Sequence, residues 1–280
     1  MKKFLLAAAW MFSSLALADG HVHDDGYTGR MAEAHASDTA QPSPAAQRAP
    51  DAAVSGSEVE YGSVGGKPAR GYLAFPVDSH GGLPGLIVFH EWWGLNDNIA
   101  GMTRQLAAQG YAALAVDLYG GSASTPEQAQ KLMKQALAEP KRLGEHMRAA
   151  MGYLRGTLNA PKVGTIGWCF GGGMSLQAAL AMPDQVNAAV MYYGRPETDR
   201  AELANLKMPL LGLFGEADQG IPVSEVRQFE GTLAELHLPA EIHIYPGVGH
   251  AFANPSGKNY QRAAAEDAWA RVVAFLHKHL

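Results

Sequence analysis

A single cysteine, Cys169, stands in the run "VGTIGWCFGGGMSLQAALAM" (163–182), with Gly167 two residues before it and Gly171 and Gly172 two and three after. Glycines at that spacing suit a nucleophile held where a strand turns sharply into a helix, since side chains there would collide with neighbouring backbone. A helix starting at Phe170 would aim unpaired N–H groups at the sulfur, lowering the thiol pKa and offering to hold an oxyanion. Two residues far along the chain complete a set. Asp218, in "FGEADQGIP", follows the apolar run "PLLGLF", and His250, in "GHAF", follows "EIHIYPG". A thiol, an imidazole to take its proton and a carboxylate to orient the imidazole are the parts of a nucleophilic triad for acyl transfer. Glu216 is the alternative acid. Asp218 is favoured because the stretch after it, "QGIPVSEV", begins the next helix. His243 lies inside a strand-like run and reads as structural, and nothing of similar weight argues for His90 or His146.

These side chains can meet only if the elements between them bring strand ends together. From residue 58 the chain alternates short apolar runs with helical segments. A hairpin is expected around Gly65-Gly66, followed by strands at Leu86–Phe89, "YAALAVDLY", "KVGTIGW", "VNAAVMYYG", "MPLLGLFGEAD" and "AEIHIYPG". Helices are expected over 97–109 with Asn96 as cap, and over 126–137, 142–154, 170–181, 222–236 and 261–276. Strands buried on both faces and separated by helices call for a mostly parallel sheet covered on both sides. Such sheets place their sites at the carboxyl ends of strands. Cys169, Asp218 and His250 each follow a different strand, in the chain order of α/β hydrolases. One α/β domain over 58–280 accounts for the pattern.

The ends and the composition set further limits. Residues 1–18, "MKKFLLAAAWMFSSLALA", have the basic start, apolar run and small-x-small end of a cleaved secretory signal, so a secreted or periplasmic protein is expected. No later run is apolar for long enough to span a bilayer. Residues 19–57 are poor in large apolar groups and read as a flexible leader. His21, His23 and His35 lie in it with Asp24 and Asp25, and read as a solvated tail rather than a metal site. A single cysteine excludes an internal disulfide and the usual thiolate metal or iron–sulfur sites. A net charge of -5 gives no electrostatic reason for nucleic-acid binding. A monomer is the default expectation.

As a set, "HEWWG", "DLYGG", "GWCFGGG", "GEAD" and "GHAF" resemble the dienelactone hydrolase family over Glu58 to the C-terminus. The resemblance implies the α/β-hydrolase fold and hydrolysis of small esters or lactones without a cofactor or metal. It assigns Cys169 as nucleophile, Asp218 as acid and His250 as base. Glu91 would keep the resting thiol protonated, and the backbone N–H groups of Trp92 and Phe170 would form the oxyanion hole. The family's dienelactone-cleaving members clamp the substrate carboxylate with two arginines. Here Gly120, Gly121 and Ser122 stand at the first place and Asn254 at the second. Trp92 and Trp93 suggest an apolar rim for a neutral small-molecule ester or lactone. Trp93, Tyr119, Arg195 and Asn254 are the candidate pocket residues. Preference for thioesters or aryl esters, and a non-catalytic binding protein on the same fold, are the competing functional readings.

Overall fold

Short strands that are apolar on both faces require cover on both sides, and the chain supplies it. A computed structural model describes residues 26–40, 48–79, 81–255 and 257–280. The expected signal segment 1–18 and His21, His23, Asp24 and Asp25 lie outside the described residues. The hairpin is β1 (Val54–Val64) and β2 (Lys67–Pro76), turning at Gly65-Gly66. Five-residue β3 (Gly85–Phe89) and β4 (Ala112–Val116) are buried along their whole length, as are β5 (Val163–Trp168), β6 (Ala188–Tyr192) and β7 (Leu210–Gly215). The strand β8 (Ala240–Tyr245) closes the far edge. Spatial order is β1-β2-β4-β3-β5-β6-β7-β8, with β1, β2 and β4 joined antiparallel and every pairing from β4–β3 onward parallel.

Helices cover this sheet where the sequence expects them, with ends that coincide or differ by at most three residues. These are α2 (Asp97–Ala107), α3 (Pro126–Leu137), α4 (Pro140–Gly152), α5 (Phe170–Ala181), α7 (Val223–Glu235) and α8 (Arg262–His279). The cap on α2 is the expected Asn96, whose side chain accepts from the N–H of Ile99 at 3.2 Å. A short helix, α6 (Arg200–Leu203), has no counterpart in the expectation.

The larger difference lies before the sheet. Within the stretch read as a flexible leader, Tyr27–Ala34 form a helix, α1, and β1 begins at Val54 rather than at 58. Eight residues cannot hold a helix alone in water. Tyr27, Met31 and His35 lie at intervals of four on one face and are all buried, so α1 is helical because it is docked.

Replacing Gly171 separates packing at the sheet's crevice from helix propensity. A Cβ there would lie 2.3 Å from the carbonyl oxygen of Phe89 and 2.5 Å from that of His90, and neither backbone group can give way. Gly171→Ala should lower unfolding stability by about 3 kcal/mol or more in urea titrations. Gly152→Ala, at the exposed end of α4 with nothing within 4 Å, should instead stabilise by up to about 1 kcal/mol.

Candidate active site

The turn from β5 into α5 holds Cys169 at φ 54, ψ -119, a conformation that only a tightly enclosed residue keeps. Its N–H donates to the Tyr192 carbonyl at 3.0 Å, and its carbonyl accepts from Gly172 N at 2.9 Å. Three backbone segments crowd the turn. A Cβ on Gly167 would lie 2.1 Å from the Gly171 oxygen, and one on Gly172 would lie 2.5 Å from the Tyr192 oxygen. The thiol is 0% exposed.

His250 and Asp218 reach this turn from the loops after β8 and β7. His250 Nδ1 is 2.7 Å from Asp218 Oδ2. The other carboxylate oxygen of Asp218 accepts from the N–H groups of Gly220 and Ile221, each at 2.8 Å. The acid is therefore fixed from both sides and the imidazole from one, leaving Nε2 on the side of the sulfur. Nε2 of His250 is buried with no hydrogen-bond partner among the described residues. One ligand atom each of His250, Cys169 and His35 lie within 4.8 Å of one another. Glu216 is not at the site, since it is exposed and accepts from Gly247 N at 3.1 Å. Nor are His146 and His243: His146 pairs with the Tyr61 hydroxyl at 2.5 Å, and His243 is near Arg271 at 3.5 Å.

The turn after β3 carries Glu91, Trp92 and Trp93. His90 pins it, because its Nδ1 lies 2.6 Å from the Glu91 carbonyl while its Nε2 accepts from Leu118 N at 3.3 Å. One donor and one acceptor nitrogen describe a neutral ring, and burial holds the His90 pKa below its ordinary value. Phe170, the first residue of α5, stacks on His90 at 5.8 Å, and Tyr119 packs against both rings. Glu91 is buried and its carboxylate accepts from Asn254 Nδ2 at 3.1 and 3.3 Å and from Asn98 Nδ2 at 3.5 Å. The hydrogen bonds of the Cys169 sulfur run elsewhere.

They run to α1 and the turn after it. Cys169 Sγ is 3.7 Å from Met31 Sδ and 3.5 Å from His35 Nε2. The His35 ring lies flat on Trp92, with centroids 4.6 Å apart, and its Nδ1 is 2.7 Å from Asp38 Oδ2. Asp38 in turn accepts from Lys258 N at 3.3 Å. Arg30 Nε donates to the Gly220 carbonyl at 3.1 Å, and Gln130 Nε2 to the Thr28 carbonyl at 3.3 Å. The Met31 methyl fills the place a side chain on Gly220 would need. None of these N-terminal contacts follows from reading the segment as a tail. The recurrence of Tyr27, Met31 and His35 every fourth residue is the signal that marks them.

This roof changes three expectations about the pocket. Trp92 and Trp93 are buried, Trp92 as a floor under His35 and Trp93 edge-on against Trp92, rather than forming an open rim. Asn254 faces Glu91, and Arg195 lies over the Tyr27 ring at 5.5 Å. No triad residue lines the 1100 Å³ groove bounded by Arg70, Arg104, Asp117 and Arg142.

Charge at the site is set by what encloses it. Burial disfavours a thiolate, but the His250 and His35 imidazoles outweigh it and bring Cys169 down to about 6. Burial likewise opposes an imidazolium at His250, and Asp218 with the Cys169 thiolate reverses this and raises it to about 10. Glu91 is pushed up to about 7, first by burial and then by the Cys169 charge. The arrangement can present a thiolate, transfer a proton through an oriented imidazole, and exclude water while α1 is docked.

A family model described as "Dienelactone hydrolase family" matches residues 69–280. "Protein usf" of Aquifex pyrophilus is 34% identical over 233 residues, covering 80% of this chain and 99% of the relative. A protein of Aquifex aeolicus named "Putative carboxymethylenebutenolidase" is 32% identical over 235 residues, with coverage of 80% and 99%. A crystal structure from Klebsiella pneumoniae, titled "Putative Dienelactone Hydrolase", superposes with a TM-score of 0.72 at 28% identity. It covers 81% of this chain and 100% of that one.

Alkylation of Cys169 reports both its charge and its cover. Iodoacetamide labelling should rise as pH passes about 6 and then level, and His250→Gln should move that inflection back toward 9.0. Tyr27→Ala removes the buried anchor of α1 and should raise the labelling rate at high pH at least about tenfold, measured by intact mass.

Proposed function

Because this chain belongs to the dienelactone hydrolase family, we propose that it hydrolyses small esters or lactones through an acyl-thioester on Cys169. The observation that carries this reading is the His250–Asp218 pair, joined at 2.7 Å beside a buried thiol at a strained strand end. The Cys169 thiolate attacks the carbonyl carbon, and the backbone N–H groups of Trp92 and Phe170 receive the resulting oxyanion. As the tetrahedral intermediate collapses, His250 gives its proton to the departing alkoxide, leaving the acyl group on sulfur. Water then enters, His250 takes one of its protons, and the hydroxide displaces the thiolate to release the acid. In a lactone the alcohol and the acid leave as one molecule.

His35 occupies the place beside the resting thiol that the family resemblance gives to Glu91. With α1 docked, Met31 and His35 fill the space above the sulfur, so substrate binding requires this segment to move. Glu91, whose pKa burial raises, can then take a proton as the site rearranges. The substrate class follows from the missing clamp. Asn254 holds Glu91 rather than facing a ligand, and an anionic lactone would leave a buried carboxylate uncompensated. The reading therefore favours neutral esters and lactones. The N-terminal pattern supports export, with cleavage after Ala18; sequencing of the exported chain should begin at Asp19.

Steady-state kinetics test the assignments. Cys169→Ser should abolish p-nitrophenyl acetate hydrolysis, since the same base generates an alkoxide far less readily than a thiolate. Asp218→Asn should lower kcat by roughly 100- to 10,000-fold, while Glu216→Gln stays at wild type. On a neutral and an acidic lactone of matched leaving group, kcat/KM should favour the neutral one by more than about tenfold. A preference for the acidic lactone would assign the clamp's work to another cation, Arg195 first, and Arg195→Ala would then remove turnover of the acid.

A further inference from the structure

Hydrolysis needs one imidazole–carboxylate pair at the sulfur, and this site has two. His250 is held through Nδ1 by Asp218, and His35 is held through Nδ1 by Asp38, both at 2.7 Å. The second pair comes from a different part of the chain, and Met31 arrives with it. Four donor atoms thus meet in one dry space: a thiol, a thioether and two imidazole nitrogens, on residues that are each at most 1% exposed. His250 Nε2 has no partner among the described residues although it is buried and turned inward. An acyl-transfer mechanism explains neither the thioether nor the second imidazole.

The spacing suits a metal centre. A tetrahedral ion bound by thiolate at about 2.3 Å and imidazole at about 2.0–2.1 Å holds those ligand atoms about 3.5 Å apart. Cys169 Sγ and His35 Nε2 are 3.5 Å apart, and Met31 Sδ lies 3.7 Å from the same sulfur. His250, within 4.8 Å of Cys169 and His35, completes the set with a small inward shift. A carboxylate behind each imidazole is the usual support for a metal-binding histidine, since it fixes the ring and leaves Nε2 as donor. With a thiolate and a thioether among the donors and no carboxylate, the set is too soft for magnesium, calcium or manganese. The thioether favours Cu(I) over Zn(II).

We propose that Met31, His35, Cys169 and His250 form a copper(I) site, assembled when α1 docks on the elbow. The ion takes lone pairs from the Cys169 thiolate and the two Nε2 atoms, each ring keeping its Nδ1 proton toward its carboxylate, and any proton held on the sulfur or an Nε2 passes to solvent. It would also occupy the two groups the hydrolytic reading needs, so the metal-bound and hydrolytic states would exclude each other. That last consequence rests on the proposed function; the metal site itself does not.

The test is anaerobic titration of the reduced chain, N-terminal segment included, with Cu(I) against a chromophoric chelator, and X-ray absorption of the loaded protein. One equivalent should bind, with two sulfur and two nitrogen scatterers. His35→Ala and Cys169→Ala should each weaken binding at least about 100-fold, and Asp38→Asn by roughly 10- to 100-fold. Circular dichroism identifies any variant that fails to fold, and Met31→Leu, which keeps the packing, should lose one sulfur scatterer without losing the fold. His21→Ala/His23→Ala should leave the affinity unchanged. Absence of stoichiometric binding, binding indifferent to His35→Ala, or binding lost in His21→Ala/His23→Ala would overturn the proposal. One equivalent of Zn(II) held by the same residues while Cu(I) is refused would overturn the copper assignment. Because metal is read directly, these outcomes are independent of whether the protein cleaves esters.

Discussion

A cysteine at φ 54 on the end of a buried parallel strand is the constraint on which the site depends. That conformation is unfavourable for a residue with a side chain, and surrounding backbone has to enforce it. Enforcement comes from proximity: the end of β3, the elbow and the turn after β6 approach so closely that Gly167, Gly171, Gly172 and Gly194 have no room for a Cβ. The thiol is thereby delivered to the crevice while the first turn of α5 packs against the Phe89 and His90 carbonyls.

Once the thiol is fixed there, its charge becomes the organising quantity. In a dry site a thiolate is stable only beside compensating groups, and two imidazoles stand close enough to compensate it. Each imidazole needs its own carboxylate to stay oriented, which draws in Asp218 from the β7 loop and Asp38 from the N-terminal segment. Glu91 is the counterweight. Among the described residues its carboxylate accepts from the Asn98 and Asn254 amides, and burial raises its pKa.

The docked segment connects fold to function. Its helix is too short to persist alone, so its order depends on Tyr27 and Met31 burying against the domain and on Arg30 and Asp38 bonding loop backbone. Contacts that order the segment also close the site. With α1 docked, Met31 and His35 stand against the sulfur.

Sequence alone determined the parallel sheet and its helices, because buried strands and amphipathic helices carry their periodicity locally. It also determined the elbow, since Gly167, Cys169, Gly171 and Gly172 encode one turn within six residues. Asp218 and His250 were legible through their places after strands, a consequence of parallel topology. Tertiary structure decided between Asp218 and Glu216, since both lie on one loop and only the fold shows which carboxylate meets His250. It also decided that Asn254 serves Glu91 and that the tryptophans are floor rather than rim. Above all it decided the fate of residues 27–38. Their polar composition satisfies the rule for an unfolded tail, and three buried side chains outweigh that rule only because a cleft 130 residues away in sequence fits them. Complementarity to a distant surface is not a property of any local window, so the recurrence of Tyr27, Met31 and His35 every fourth residue marks a face that can be buried but not the surface that buries it.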